Sequence, residues 1–191
     1  MKPYEELPRS VTFGGRYYRL DLSYGTFYRV VDLMADTGLL DVVKVKAALD
    51  LLVVGKHPDD PGLLQSIYDL IKPDRPATRG EKYLDIEQDW GYICAAFQQA
   101  YGIDLYTDKD MHVLRFIALL NGIPGNTKLA EIIQIRAQEI PQPNKHNGKQ
   151  IEALMRAKAQ YALRSTTSID EGWGRIFNLL KARAEKNANS R

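Results

Sequence analysis

Residues 84–105 read LDIEQDWGYICAAFQQAYGIDL, and Ile86, Trp90, Ile93, Cys94, Phe97 and Tyr101 recur along them at helical spacing. Such spacing puts all six on one face of an α-helix, and the rest of the chain must cover that face. Asp85 and Gln88 have the spacing of a capping box, which predicts a helix start at this point. Gly102 ends it as a left-handed cap, with Ile103 placed to fold back on Phe97.

Working outward from this segment, the same period recurs. Downstream, a helix capped by Thr107 or Asp108 carries Met111, Val113, Leu114, Phe116, Ile117, Leu119 and Leu120. Being apolar on nearly every side, it is expected to be the most buried helix. Gly122 and Pro124 stop it, and a further helix with Leu129, Ile132, Ile133 and Ile140 runs toward Pro141. Upstream, Val42, Val45, Leu49, Leu52 and Val53 stripe a helix capped by Asp41 and ending at Gly55. Asp60-Pro61, a cap followed by a first-turn proline, opens another with Leu63, Ile67, Leu70 and Ile71, which Pro73 closes. Phe27, Val30, Val31 and Met34 form an earlier stripe that stops near Gly38. Residues 11–20, VTFGGRYYRL, instead place β-branched and aromatic residues around Gly14-Gly15, the signature of a tight hairpin.

Two aperiodic stretches, 73–83 and 141–149, read as exposed connections. Beyond the second lie two amphipathic helices, one striped by Ile151, Leu154, Met155 and Tyr161, the other by Trp173, Ile176, Phe177 and Leu180. The expected fold is mainly α: a multi-helix domain with a short N-terminal β-hairpin and two C-terminal amphipathic helices. The expected organisation is a helical core at 1–140, a linker at 141–149 and a helical extension at 150–191.

The 191 residues are 45% hydrophobic and 26% charged, as in a globular chain in water, with no run long enough to span a membrane. The segment MKPYEELPRS lacks the basic and then apolar order of a secretory leader, so a cytoplasmic location is expected. One cysteine excludes an intramolecular disulfide and a cysteine-based zinc cluster. The net charge of +2 is unevenly spread. Residues 149–191 hold nine Lys and Arg against four Asp and Glu, leaving the first 148 residues at −3. Such a tail is either a set of solvated helix faces or a partner-binding element.

Chemistry is sparse. FGGRYY lacks the helix and GK[ST] of a phosphate loop. His112, near Asp108 and Asp110, sketches a general base with its orienter, but no nucleophile or second ligand accompanies it, so a core or boundary role is expected. Cys94 shares a stripe with Trp90 and Phe97, where a thiol packs as a small hydrophobe. Asp85, Glu87 and Asp89 form an acidic cluster, best read as first-turn acids interacting with the helix dipole rather than as a hydrolytic pair or cation site. Arg115 is expected to pair with Asp110 or Glu131 or to extend into solvent. Tyr17, Tyr18, Tyr24, Phe27 and Tyr28 beside Arg16, Arg19 and Arg29 have the composition of a base-stacking platform, and equally of a hairpin packed on a helix, which is preferred. No enzyme activity, metal or cofactor is expected.

Three segments together carry a resemblance: FGGRYYRLDLSYGTFYRVVDLM at 13–34, DIEQDWGYICAAFQQAYGIDL at 85–105 and MHVLRFIALLNGIPGNTKLAEIIQIRAQEIP at 111–141. In this order they resemble a family of siphophage and prophage proteins encoded between the major tail protein and the tape measure protein. The likeness covers roughly residues 11–163, with Val113 standing where the pattern has an aromatic. It implies a tail assembly chaperone that binds and solubilises the tape measure protein while the major tail protein polymerises around it. The host cytoplasm, absence from the mature virion, and self-association of several copies go with that implication, the major tail protein being a further candidate partner. Trp173, Phe177, Leu180, Leu154 and Tyr161, on the C-terminal amphipathic helices, are the candidate partner-binding residues. The competing class is a small helical nucleic-acid-binding phage regulator, which the basic tail favours.

Overall fold

The computed structural model describes residues 6–72 and 82–164 of the chain. Along them run β1 (Ser10–Phe13), β2 (Arg16–Arg19), α1 (Tyr24–Ala35), α2 (Asp41–Leu52), α3 (Pro61–Ile71), α4 (Trp90–Tyr101), α5 (Val113–Asn121), α6 (Lys128–Ala137) and α7 (Gly148–Gln160). The protein is therefore mainly helical with an N-terminal two-stranded antiparallel hairpin. The chain divides into two compact units that are not contiguous in sequence. One contains β1, β2, α1 to α3 and the start of α5; the other contains α4, the end of α5, α6 and α7.

In the first unit, Gly14 and Gly15 both have positive φ, 56° and 74°, as a two-residue turn of type I′ requires. The register pairs Phe13 with Arg16 and Val11 with Tyr18. Tyr18 is buried, and Phe13 lies so close to Gly62 that a Cβ there would meet its ring at 3.1 Å. Glycine at the first turn of α3 thus lets the hairpin seat on that helix. The Asp60 carboxylate accepts from the Gly62 N–H at 2.7 Å and Pro61 occupies the first turn, so the predicted start is observed. Leu63, Leu64, Ile67 and Ile71 are buried, while Leu70 is half-buried.

Ser23 caps α1 by accepting from the Thr26 N–H, and Asp21 accepts from the Ser23 N–H and the Thr26 hydroxyl. Phe27, Val30, Val31 and Met34 are all buried, as their period predicts. Helix α2 departs from expectation. Its N-cap is Leu40, which has no side chain able to cap, and Asp41 is already helical. Val42 is 58% exposed, and burial starts only at Ala48, Leu49 and Leu52, because the first turn of α2 stands clear of its neighbours. Past Leu52 the chain pairs briefly with β2: the Asp21 N–H donates to Leu52 O and the Val54 N–H to Arg19 O.

The expected cap of α5 is also corrected. Thr107 and Asp108 precede a turn, and α5 starts only at Val113 because Met111 and Val113 are held by backbone bonds to Tyr24 and Leu22. Nor is α5 the most buried helix: only Val113 and Phe116 are buried, and Leu114, Ile117, Leu119 and Leu120 are half-buried. Val113 and Phe116 count in the first unit, Ile117 onward in the second. A helix whose two halves pack in different units needs apolar residues around more of its circumference than a one-sided helix does.

In the second unit, Ile93, Cys94, Ala96 and Phe97 bury one face of α4, and Gly102 closes it in the left-handed conformation, φ 67°. The start differs from the capping-box reading. Asp85 does accept from the Gln88 N–H at 2.9 Å, but this closes a turn over 86–89 and α4 begins at Trp90. The Tyr101 hydroxyl donates to Leu119 O at 2.8 Å, tying α4 to the end of α5. Thr127 caps α6 through the Ala130 N–H, and Leu129 and Ile132 are buried. Ile140 lies beyond the end of α6 and is 48% exposed.

Candidate functional site

Helix α7 is where the candidate partner-binding residues meet the described chain. Its sequence, GKQIEALMRAKAQ, repeats apolar residues at helical spacing, yet none of its thirteen residues is buried. Ile151 and Leu154 are half-buried and Met155 is 54% exposed. An amphipathic helix ordinarily owes its stability to packing of its apolar face, so a face left this open calls for an account of how the helix is held.

Polar groups at its C-terminal end hold it. The Arg136 guanidinium donates through Nε to Tyr161 O at 2.6 Å and through Nη1 to Tyr83 O at 2.9 Å. Nη1 and Nη2 also grip both oxygens of Asp89, at 2.6 and 2.8 Å. Lys158 Nζ donates to Arg136 O at 2.6 Å. The Gln88 side chain then accepts from the Arg164 N–H and donates to Arg164 O. Arg136 of α6 thereby joins the end of α7 to Tyr83 and the turn before α4, and Gln88 of that turn holds the chain after α7. Arg136 and Asp89 side chains are 9% and 2% exposed, so their attraction acts with little water between them.

This node was not visible in the sequence. Asp89 was expected to serve the helix dipole beside Asp85 and Glu87; its carboxylate instead pairs with Arg136 and accepts from the Asp85 N–H. Its partner lies 47 positions away, and the one local hint is an arginine following Ile132, Ile133 and Ile135. Asp85 accepts from the Glu87 and Gln88 N–H groups and meets Lys82 Nζ at 3.2 Å.

Of the candidate contact residues, Leu154 lies half-buried on α7. Tyr161 is half-buried at the end of α7, with Lys128 Nζ 5.3 Å from its ring centroid. Trp173, Phe177 and Leu180 lie outside the described residues, as does the helix expected to carry them.

His112 and Cys94 are buried. His112 is buried, donates from Nε2 to Pro8 O at 2.8 Å and accepts at Nδ1 from the Leu114 N–H at 3.1 Å, so it caps α5 and ties down the N-terminal segment. Asp108 and Asp110 are exposed and do not orient it. Cys94 is buried, and burial pushes its thiol up, away from the thiolate. Arg115 is exposed, with no ion pair among the described residues. Tyr18, Tyr24 and Phe27 are buried and Tyr28 is half-buried, as a hairpin and helix packed together require; Tyr17 alone of the five is exposed. Among the described residues, no group of three His, Cys, Asp or Glu could hold a metal ion, and no helix is long and apolar enough to cross a membrane.

The two bonds of His112 require the neutral ring, and burial, with Arg9 adding its charge, lowers its pKa against the opposing bond to Pro8. A histidine lowered in the folded state stabilises fully above its unfolded value near 6.5, and that contribution is lost as pH falls through the folded value. Chemical denaturation at pH 7 and pH 5 should therefore show stability falling on acidification, with a shallower fall in His112→Gln. Equal slopes for the two proteins would contradict the assignment.

No curated protein and no solved structure matches the chain. Residues 4–163, well over half of the chain and the whole of every described helix, match the family described as bacteriophage Gp15 protein; the chain belongs to that family.

Proposed function

We propose that the chain is a tail assembly chaperone, which binds and solubilises the tape measure protein during tail morphogenesis without remaining in the virion. Membership of a bacteriophage family supports the setting. The observation that carries the reading is α7, a helix anchored by polar contacts at one end whose Ile151, Leu154 and Met155 face leaves no residue buried. A long helical client presents apolar stripes that such a face can cover, and aromatic residues later in the sequence, Trp173 and Phe177, would supply the strongest contacts. Several copies along an elongated client fit the same role, so light scattering is expected to show more than a monomer at micromolar concentration.

Co-expression with the tape measure product tests the reading. The client is expected to become soluble and to co-purify, with binding weakened only modestly by salt, because apolar contacts dominate. Replacing Leu154 and Met155 by Glu should abolish solubilisation while leaving the melting temperature within a few degrees. An insoluble client beside the intact protein would overturn the proposal. Retention on DNA that falls by about 0.9 in log affinity per neutralised phosphate and unit of log salt would transfer the assignment to a nucleic-acid regulator.

A further inference from the structure

We propose that the hairpin of β1 and β2 docks an acidic, extended polypeptide segment, which adds as a third strand along the open edge of β1. The surface belongs to the other unit from α7, and the inference stands without the escort reading.

The backbone supplies the first half of the argument. The sheet has two strands, and in an antiparallel pair successive residues turn their N–H and C=O groups alternately toward and away from the partner. Leu20 N–H donates to Arg9 O at 2.8 Å, which places Arg9, Val11 and Phe13 on the side facing β2. Ser10 and Thr12 therefore turn their backbone groups outward, where no described residue meets them. The outer edge of β2 is already occupied in part, because Val54 N–H donates to Arg19 O. Among the described residues, the edge of β1 is thus the one open to a further strand.

Charge supplies the second half. Residues 7–20 contain Arg9, Arg16 and Arg19 and no Asp or Glu. All three arginines are exposed and none has a carboxylate partner among the described residues, whereas Lys46, Lys72, Lys82, Lys128, Arg136 and Arg156 each have one. The register sets Arg19 opposite Ser10 and Tyr17 opposite Thr12, on the face away from buried Tyr18, and Tyr17 is 73% exposed. With strands about 4.8 Å apart, Arg19 can reach across the small Ser10 to the edge, while Arg9 and Arg16 belong by the same register to the opposite face. Carboxylates on an added strand would meet guanidinium groups that now face water.

The same features select among occupants. The edge offers donors and acceptors together, which a peptide backbone satisfies; a phosphodiester chain supplies only acceptors and leaves the carbonyls unmet. Pairing of two copies edge to edge would bring like guanidinium groups together.

The test uses the intact protein and a fluorescent peptide of alternating Glu and Val, about ten residues long, with an alternating Gln and Val peptide and oligothymidylate of equal charge as comparisons. At low salt the Glu peptide is expected to bind at least about tenfold more tightly than either comparison, and the Arg19→Gln variant to lose about tenfold. Arg19→Lys should retain most of the affinity, which separates charge from misfolding. In the wild type, amide exchange at Ser10 and Thr12 should slow when the peptide is bound. Absence of peptide binding, equal binding by the Gln variant at unchanged circular dichroism, or unslowed exchange at both amides would each overturn the proposal. So would tighter binding of oligothymidylate, or a dimer in light scattering that the peptide dissociates and that accounts for the protected edge.

Discussion

Asp89→Ala is expected to cost about 3–5 kcal/mol, read as a lowered urea midpoint, because it leaves the Arg136 guanidinium inside the second unit without its carboxylate. The removed group accepts two guanidinium bonds and the Asp85 N–H, so three donors lose their partner at once. The pair need not be the most stabilising content for that space. Attraction between buried charges is offset by the cost of removing both from water, and a double change of Asp89→Leu with Arg136→Met should therefore restore much of the loss. It should not restore the position of α7, since Tyr161 O and Tyr83 O would still lack the donors that Arg136 supplies. A single substitution as severe in its effect on solubilisation as on folding is accordingly expected at Arg136, and at Asp89 through it. An Asp89→Ala protein that unfolds at the wild-type midpoint would refute the account of the node.

Phe116→Ala should be about as costly, about 3–5 kcal/mol, for a different reason. The ring is fully buried, stacks on Tyr24 with centroids 4.8 Å apart and meets Tyr28 edge-on at 5.8 Å. Truncation removes the transfer free energy of the ring and leaves a cavity between two aromatic neighbours that are themselves fixed by α1. Ile117, one residue on, is half-buried, and Ile117→Ala should cost less than about 2 kcal/mol. Losses of equal size at the two positions would mean that burial along α5 is not divided as described.

Legibility in the sequence followed the range of the interactions concerned. The hairpin was readable because its cause is local: two adjacent glycines at positive φ between β-prone runs. The same holds for Asp60-Pro61 at the start of α3 and Gly102 at the end of α4, where a few adjacent residues settle the backbone. Periodicity correctly marked the buried faces of α1 and α4, because a stripe long enough to need cover is written into the order of residues. It failed at Val42, apolar and in phase yet exposed, since phase says which side of a helix a residue occupies and nothing about whether a neighbour reaches that turn, and at Ile140, because α6 ends at Ala137 before reaching it.

The candidate site shows the same division more sharply. The apolar spacing of Ile151, Leu154 and Met155 was legible as a stripe, but that none of the three would be buried was not. Asp85 and Asp89 look equivalent in sequence, two acids four residues apart before a helix. Folding separates them: one closes a turn over its own neighbours, the other pairs with Arg136 from α6. His112 likewise read as a core or boundary residue, but which groups satisfy it was not legible: its partners proved to be a carbonyl 104 residues earlier and the N–H two residues on. The sequence by itself determined the helical class, the hairpin and its turn, and the faces that seek burial, because these depend on φ preferences and residue order over a few turns. Only the tertiary structure decided which polar groups are paired, where α5 begins and which apolar faces remain open. A buried ion pair or a covered stripe needs a partner that the chain brings near only by folding.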